Sequence, residues 1–491
     1  MKERQVSTLR YAVRGRVLAK RLGDLCLGLA ALQSVPLAAS FLLGDFGFGL
    51  RFGMSFAFIA LAGLGLSRVR APQDIQVNES LALSAMIFVL TPFVFSYPMM
   101  YEGLPFVDAL FEAVSGITTT GLSTTATVED KSRAFLFARS WLQWSGGLGI
   151  VVLTVAILIQ PGVSAKRLAY GEGEKTDMVV GTRIHAQRSL KVYLALTAAG
   201  VALLVILGVD LFAAFVHTLS GVSTGGFSTF DSSLAGLGPW HVQAAAMLVS
   251  LSGAISLAVY YRAFRTRSLS AFARNAEIFA LLGLTAVFTL LLAASLYLAD
   301  GRPLGEILKS ASLMGLSAQT TTGYFNLDVR GLGPASKLVL MVSMLLGGTV
   351  GSTAGGIKLL RLLIFLRLLQ LMVLRTCLPS RAVVGTYIEG QRVESDEIER
   401  ALLTVLLFAL VIVVSWVPFV VLGHDPLDSL FEVVSAMGTV GLSAGVASPG
   451  LEPGLKALLC VDMLFGRLEV FAFLVILYPG TWLGRKAKGQ T

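Results

Sequence analysis

The stretch SAMGTVGLSA, Ser435 to Ala444, has three relatives elsewhere in the same chain. Aligned on one glycine, the four stretches read SGITTTGLS at 115–123, SGVSTGGFS at 220–228, SAQTTTGYF at 317–325 and SAMGTVGLS at 435–443. The shared glycines are Gly121, Gly226, Gly323 and Gly441. A period of roughly 100 residues is too long for a solenoid repeat. It leaves room for a membrane-crossing helix on each side of every stretch.

The residue types around these glycines suit the binding of a dehydrated monovalent cation. Such an ion needs neutral oxygens at close range, and extended backbone supplies them when its carbonyls point the same way. Glycine permits the backbone angles needed at the tightest point, and the Thr and Ser before it add hydroxyl oxygens. For one copy alone, a glycine-and-threonine loop that caps a helix is the better explanation, but four copies favour a four-part selectivity filter. The predicted filter residues are Thr118, Thr119, Thr120, Gly121, Ser223, Thr224, Gly225, Gly226, Thr320, Thr321, Thr322, Gly323, Gly438, Thr439, Val440 and Gly441.

A short apolar run precedes each of the four stretches. Runs of about 10–13 residues reach only about 15–20 Å as helices, which is too short to span a bilayer. They predict re-entrant pore helices whose negative C-terminal ends point at the ion. Asp108 and Glu112 in the first run match Asp428 and Glu432 in the fourth. These acids either attract cations at the outer mouth or cap helices and pair locally, and the sequence leaves both explanations open.

The composition is that of a polytopic membrane protein. The chain has 491 residues, of which 55% are hydrophobic and 14% charged, and its mean hydropathy is +0.76. The three cysteines suggest no disulfide framework or metal site, and the four histidines have no ligand spacing. No nucleophile–base set or nucleotide loop is present, so we expect neither an enzyme nor a bound cofactor. The first apolar segment has no convincing cleavage site and predicts a retained membrane helix.

The order of apolar segments predicts an all-α fold with four helix–pore-loop–helix units around one central pore. Two extra N-terminal transmembrane helices precede the first unit. Within the units, one continuous helix is expected over 240–261 and an interrupted one over 335–374. The predicted divisions are 1–75 (N-terminal extension), 76–165, 166–268 and 269–378 (first three pore repeats), and 379–491 (cytoplasmic loop, fourth repeat and basic tail).

The net charge of +9 reflects membrane topology rather than nucleic-acid binding. With the N-terminus in the cytoplasm, most of the 39 Lys and Arg residues fall on the cytoplasmic side or border it. Both termini are then cytoplasmic and the filters face outward. Ten basic residues are the exceptions: Arg51, Lys131, Arg133, Arg139, Arg302, Lys309, Arg330, Lys337, Lys456 and Arg467.

The interrupted helix contains GGTVGSTAGGIK at 347–358, which will not stay helical unaided. Non-helical backbone at that depth lines a cavity or packs on protein, so a gate under the third filter is predicted, with close helix packing as the alternative. Arg467 lies inside the last apolar run and is predicted to oppose cations below the filter, with a pair to Glu469, Asp462 or another helix as the alternative. The predicted gating residues are Gly347, Gly348, Gly351, Ser352, Thr353, Gly355, Gly356, Lys358 and Arg467.

At this point the sequence resembles the Trk/Ktr/HKT potassium transporter superfamily, most closely its TrkH-type subunit. Besides the filter stretches, the resemblance rests on WLQWSGGLGIVVL at 141–153, GGTVGSTAGGIKLLR at 347–361, PSRAV at 379–383 and MLFGRLEVF at 463–471. It implies a pseudo-tetrameric K⁺ pore in the bacterial inner membrane and a homodimer. It also implies regulation by a cytoplasmic nucleotide-binding subunit of the TrkA type. The family's filter glycines map onto Gly121, Gly226, Gly323 and Gly441, its intramembrane loop onto Gly347–Gly356, and its pore arginine onto Arg467.

We therefore predict uptake of potassium through a gated pore. A Na⁺-permeable or Na⁺-coupled transporter on the same fold is the first alternative, because the residues before the four glycines are not uniform. A conventional secondary solute transporter is the second, although the broken segment carries no carboxylate.

Overall fold

The computed structural model describes residues 12–72, 75–158, 178–300, 303–377, 379, 385–388 and 391–482. The residues outside these ranges include part of the basic charge counted above and most of the PSRAV stretch. The basic residues concerned are those of 1–11, Lys166 and Arg167, and Arg485, Lys486 and Lys488 of the tail. Within the described part the fold is helical, apart from a two-stranded antiparallel hairpin of Tyr387–Ile388 with Gln391–Arg392. Six described helices are long and apolar enough to cross a membrane, or seven if a bent pair is one span. The chain is thus an all-α polytopic membrane protein.

Each repeat has an outer helix, a short pore helix that ends at a filter stretch, and an inner helix. The outer helices are Val77–Met99, Met178–Ile206, Ala276–Asp300 and Ser395–Val421. The pore helices are Phe106–Ile117, Leu211–Val222, Leu304–Gln319 and Pro426–Gly438. The inner helices are Arg133–Leu158, Trp240–Ala254 with Leu257–Thr266, Pro334–Leu345 with Leu359–Thr376, and Pro453–Leu477.

The pore helices begin at residues that suit a helix N-terminus. Asp210 accepts hydrogen bonds from the backbone of Phe212 at 3.0 Å, and Asp425 does the same for Leu427 at 2.9 Å. Pro105 and Pro303 stand at the corresponding places in the first and third repeats. The first pore helix has 12 residues, which lies within the length of about 10–13 residues expected from the sequence.

Glycines let the inner helices approach the ends of the pore helices. A Cβ on Gly146 would overlap the carbonyl of Ile117, the last residue of the first pore helix. Gly253 stands in the same relation to the carbonyl of Val222. The backbones of these two inner helices therefore lie against the points where their pore helices turn into the filters.

The prediction of one continuous helix over 240–261 is wrong. The helix breaks at Ile255 and Ser256, whose backbone is not helical, and its two halves are bent by 88°. The carbonyls freed at the break are not left unpaired, because Gly253 accepts from the backbone of Thr353 at 3.1 Å and Ala254 from that of Thr349 at 3.2 Å. A loop of the third repeat thus replaces the missing helical hydrogen bonds.

The interruption predicted in the third inner helix is confirmed, because the two halves end at Leu345 and resume at Leu359. The residues between them, 346–358, form an irregular segment that we call the intramembrane loop. The sequence pattern also favours a polar and basic loop over 161–190, but the described residues of this range, from Met178 onward, belong to the second outer helix.

The two N-terminal helices, Gly15–Leu42 and Phe46–Ser67, pack antiparallel on the first repeat. Their contact uses small residues: a Cβ on Gly23 would meet the backbone of Ser67. Arg14, at the start of the first N-terminal helix, connects this helix to the first outer helix through an ion pair of 2.8 Å with the buried Glu79.

Candidate functional site

The four filter stretches share one unusual backbone form. The threonine two positions before each shared glycine has a positive φ, and so does the glycine itself. A threonine in this region is uncommon, since its branched side chain resists it. Recurrence of the same torsion at matching places indicates four copies of one structural unit. The φ angles are 54° and 90° at Thr119 and Gly121, 52° and 77° at Thr224 and Gly226, 53° and 79° at Thr321 and Gly323, and 49° and 97° at Thr439 and Gly441.

A serine at the end of each pore helix sets this backbone form. Its carbonyl accepts a hydrogen bond from the residue just before the shared glycine, at 2.9 Å from Thr120 to Ser115 and at similar length in the other repeats. In the first and fourth repeats the serine hydroxyl also accepts from the glycine N–H: Ser115 from Gly121 and Ser435 from Gly441, both at 3.0 Å. Each filter is therefore anchored to its own pore helix.

The four filters close into a ring. At every shared glycine, a Cβ would overlap the carbonyl oxygen of the residue before the shared glycine in the next repeat, and the fourth repeat meets the first. No side chain fits at these positions, which explains the glycines. The overlapping pairs are Gly121 with Gly225, Gly226 with Thr322, Gly323 with Val440, and Gly441 with Thr120.

Two glutamates of the pore helices, Glu112 and Glu432, bind the chain that follows the filters. Glu112 is fully buried and accepts from the backbone N–H of Thr124 at 2.9 Å. Glu432 is equally buried and accepts from that of Ala444 at 3.0 Å. Of the two explanations left open by the sequence, local pairing is the one that these carboxylates fit, because they hold the chain as it leaves the filter. His217 occupies the matching place in the second repeat and contacts the Ser228 hydroxyl at 3.0 Å.

Asp108 and Asp428 join neighbouring repeats. Lys456, at the start of the fourth inner helix, donates to Asp108 of the first pore helix at 2.6 Å. Lys337, at the start of the third inner helix, donates to Asp428 of the fourth pore helix at the same distance. Equivalent ion pairs thus cross two of the junctions between repeats.

One ion pair lies in the exposed loop that follows the third filter. Arg330 contacts Asp328 at 2.8 Å, and its hydrogen bond holds the pKa of that carboxyl below its ordinary value. Both side chains are mostly exposed, so the pair contributes little to stability.

The intramembrane loop lies against three filters. Thr353 donates from its hydroxyl to the carbonyl of Val222 at 3.0 Å, where the second pore helix ends. The backbone N–H of Gly355 donates to the hydroxyl of Thr321 in the third filter at 2.7 Å. A Cβ on Gly355 would overlap the hydroxyl of Thr439 in the fourth filter. The loop therefore fills the space next to the filter ends that follow the pore helices.

The loop is closed on itself at its base. Gly347 donates to the carbonyl of Ile357 at 2.9 Å, and Ile357 donates to that of Leu345 at 2.9 Å. The other predicted gating residues belong to the same turn: Gly351 and Gly356 have positive φ, the Gly348 carbonyl accepts from Leu359, the Ser352 hydroxyl donates to Thr349, and Lys358 donates to Ala354.

Arg467 of the fourth inner helix contacts this loop. Its Nη1 donates to the carbonyl of Thr353 at 2.7 Å, and the side chain is buried. Its Nε and Nη2 have no hydrogen-bond partner among the described residues. Asp462, one predicted alternative partner, instead accepts from the Ser415 hydroxyl at 2.6 Å. The side chain of Glu469 lies outside the described residues.

Two buried glutamines were missed by the sequence analysis. Gln143 of the first inner helix contacts the backbone of the second filter. Gln319, at the end of the third pore helix, donates to the carbonyl of Leu346 at 2.6 Å, where the intramembrane loop begins. The signal that could have identified Gln143 is a lone amide in an apolar run, WLQW, because a buried amide requires partners.

Comparison with known proteins gives one consistent result. The sequence model of the TrkH family, described as a cation transport protein, matches residues 53–479. The Trk system potassium uptake protein TrkH of Halomonas elongata is 30% identical over 490 residues, which cover 95% of this chain and 99% of that relative. The protein of the same name from Escherichia coli K12 is 28% identical over 483 residues, with 95% and 99% covered.

A solved structure has the same fold. The crystal structure of the potassium transporter TrkH from Vibrio parahaemolyticus superposes with a TM-score of 0.86 at 24% sequence identity. The match covers 96% of this chain and 100% of that one.

Proposed function

This chain belongs to the TrkH family of cation transport proteins, and from that premise we propose that it takes up K⁺ through the ring of four filters. The observation that carries the proposal is the contact of each shared glycine with a filter carbonyl of the next repeat. Carbonyl oxygens held in a closed ring replace the hydration shell of a monovalent cation. The chain is a multi-pass membrane protein, so such a ring provides a path across the bilayer.

The ion passes from the ring to the threonine hydroxyls at the other end of the filters. The Oγ1 atoms of Thr119 and Thr439 are buried and have no hydrogen-bond partner among the described residues. Buried polar atoms normally have a partner, and a passing cation or its water supplies one. These hydroxyls add to the carbonyls as uncharged ligands for K⁺.

The intramembrane loop is the gate. It occupies the space beyond the filters through the contacts of Thr353 with Val222 and of Gly355 with Thr321. Arg467 holds the loop in this position and places a positive charge beside the pathway. Opening requires the loop to leave these contacts, and its glycines give the backbone the freedom to do so.

A cytoplasmic nucleotide-binding subunit of the TrkA type supplies the signal for opening, and the chain works as a homodimer in the bacterial inner membrane. The support is the family membership together with the charge pattern, which favours a cytoplasmic position for both termini and the basic loops. In this proposal, the first of the five predicted divisions holds the two N-terminal helices, and each of the other four holds one pore repeat. The filters then face the outside, as uptake requires.

The test is uptake of K⁺ and Na⁺ by cells that lack their own K⁺ uptake systems, with and without this chain. We expect growth at low external K⁺ that Gly121→Arg abolishes, because the side chain would enter the ring. Equal Na⁺ and K⁺ flux would favour the Na⁺-permeable alternative. Absence of flux for both ions, with the cognate regulatory subunit also present, would contradict the proposal.

A further inference from the structure

Gln143 is a fully buried amide on the inner helix of the first repeat, yet both of its polar atoms contact the second filter. Its Nε2 donates to the carbonyl of Gly225 at 2.5 Å, and its Oε1 accepts from the N–H of Phe227 at 3.1 Å. The two bonds lie on either side of Gly226, the shared glycine. One side chain therefore fixes both peptide groups that flank the tightest point of this filter.

The carbonyl that Gln143 contacts is a member of the ring. Gly225 is the residue whose oxygen lies against Gly121 of the first filter. Its counterparts in the ring are the carbonyls of Thr120, Thr322 and Val440, and none of these three accepts a side-chain hydrogen bond in the described part of the chain. In the described part of the chain, the Gly225 carbonyl is thus the one member of the ring that accepts a hydrogen bond from a side chain.

The second filter also differs in having no side chain at this position. In the first and third filters, the hydroxyls of Thr120 and Thr322 bond to those of Thr118 and Thr320, at 2.8 Å in each case. Gly225 cannot do this, and a Cβ there would overlap the Gln143 amide. The amide occupies the place that a filter side chain would take, which explains two consecutive glycines in this repeat alone.

We propose that Gln143 is a specificity-determining positioning residue, which holds the Gly225 carbonyl so that the ring keeps the size that suits K⁺. The inference rests on the proposed function, because it concerns the selectivity of the same ring. Two adjacent glycines without a fixed partner can rotate, and a ring that contracts around a smaller ion binds Na⁺ better. Gln143 prevents this contraction by fixing the peptide from behind.

The first experiment compares Gln143→Leu and Gln143→Glu with the unaltered chain in cells that lack their own K⁺ uptake. Initial rates at several K⁺ and Na⁺ concentrations give KM and maximal rate for each ion, normalised to the amount of chain in the membrane. We expect the ratio of Na⁺ to K⁺ uptake efficiency to rise roughly tenfold in both variants, as loss of one good hydrogen bond implies. The change should lie in the two KM values, whereas a merely unstable protein would lose maximal rate for both ions equally.

Gln243→Leu is the matched control. This glutamine donates to the backbone carbonyl of Gly238 at 2.8 Å, outside the filter. Its removal should leave the uptake ratio unchanged. An unchanged ratio in the two Gln143 variants as well, with K⁺ uptake intact, would overturn the inference while the proposed function stood. If the unaltered chain itself took up no K⁺, that result would instead contradict the proposed function.

A double-substitution cycle gives a second readout that does not depend on Gln143→Leu folding. Gly225→Ala alone should lower K⁺ discrimination, because the new Cβ would displace the Gln143 amide. In a chain that already carries Gln143→Ala, Gly225→Ala should change the uptake ratio less than it does in the unaltered chain, because the amide that it would displace is absent. The effects of the two substitutions should therefore be non-additive. Strictly additive effects on the uptake ratio would show that the two residues act independently and would overturn the inference.

Discussion

Arg467 donates a hydrogen bond of 2.7 Å to the carbonyl of Thr353, whose own hydroxyl reaches the end of the second pore helix. The fourth repeat thus contacts the second through a loop that belongs to the third. Two nitrogens of this buried guanidinium have no hydrogen-bond partner among the described residues, which is unfavourable on its own. The proposed role of its charge beside the pathway accounts for this cost. In the proposed gate, this contact makes Arg467 a support of the closed loop as well as a charge beside the pathway.

Arg467→Ala should raise K⁺ flux roughly tenfold, because it removes a charge-assisted hydrogen bond that holds the loop. Flux into proteoliposomes of the purified chain measures this. Arg467→Lys keeps the charge but cannot reproduce the guanidinium geometry, so its flux should be intermediate. Wild-type flux in Arg467→Ala would remove this residue from the gate.

Gly355→Ala should also raise flux, since a Cβ there would overlap the Thr439 hydroxyl and the loop could not dock under the filters. The same flux assay applies. Gly283→Ala is the control, because a Cβ at Gly283 meets nothing within 4 Å. An increase in both variants would show that the effect is not specific to the loop.

Gly441→Ser should lower the K⁺ over Na⁺ uptake ratio by at least about tenfold while the chain still reaches the membrane. The reason is a φ of 97° together with overlap of the new side chain with the Thr120 carbonyl. Gly450→Ser lies in the loop after the same filter, at a position where a Cβ meets nothing within 4 Å. That variant should retain the ratio, and equal ratios in the two variants would count against a filter at Gly441.

Asp108→Asn should destabilise the protein by about 3 kcal/mol, because it leaves the buried Lys456 without its carboxylate. The midpoint of thermal unfolding in detergent measures the loss. Asp428→Asn should cost less, since the Asp428 side chain is 29% exposed, so water already screens its pair with Lys337. Similar midpoints for the two variants would show that burial does not set the strength of these pairs.

The repeats were predictable because their signal is local. The filter glycines, the short pore helices and the interruption at 346–358 all follow from the backbone preferences of nearby residues. Contacts between distant residues were not predictable: the partner of Gln143 is 82 residues away. The break at Ile255 also depends on a distant segment. The N–H groups of the third repeat's loop donate to the carbonyls before the break, and they reach these carbonyls only in the folded chain.

The role of the pore-helix acids was likewise open for a physical reason. Whether Glu112 and Glu432 face ions or backbone depends on where the chain returns after the filter, and no local preference specifies that path. The structure brings the returning N–H groups of Thr124 and Ala444 to them. The site residues themselves remain predictions that the experiments above test.

The filters are arranged around the ring in the order in which the ribosome makes them. Its first three junctions join stretches that leave the ribosome one after another, whereas the last places Gly441 against Thr120, which was made long before. Lys456 reaches back to Asp108 across the same junction, over 348 residues. A nascent chain that has inserted three repeats therefore has an open arc in place of a ring. If the ring is the proposed filter, selective conduction cannot begin until the C-terminal repeat enters the bilayer, and a truncated product has no complete ring.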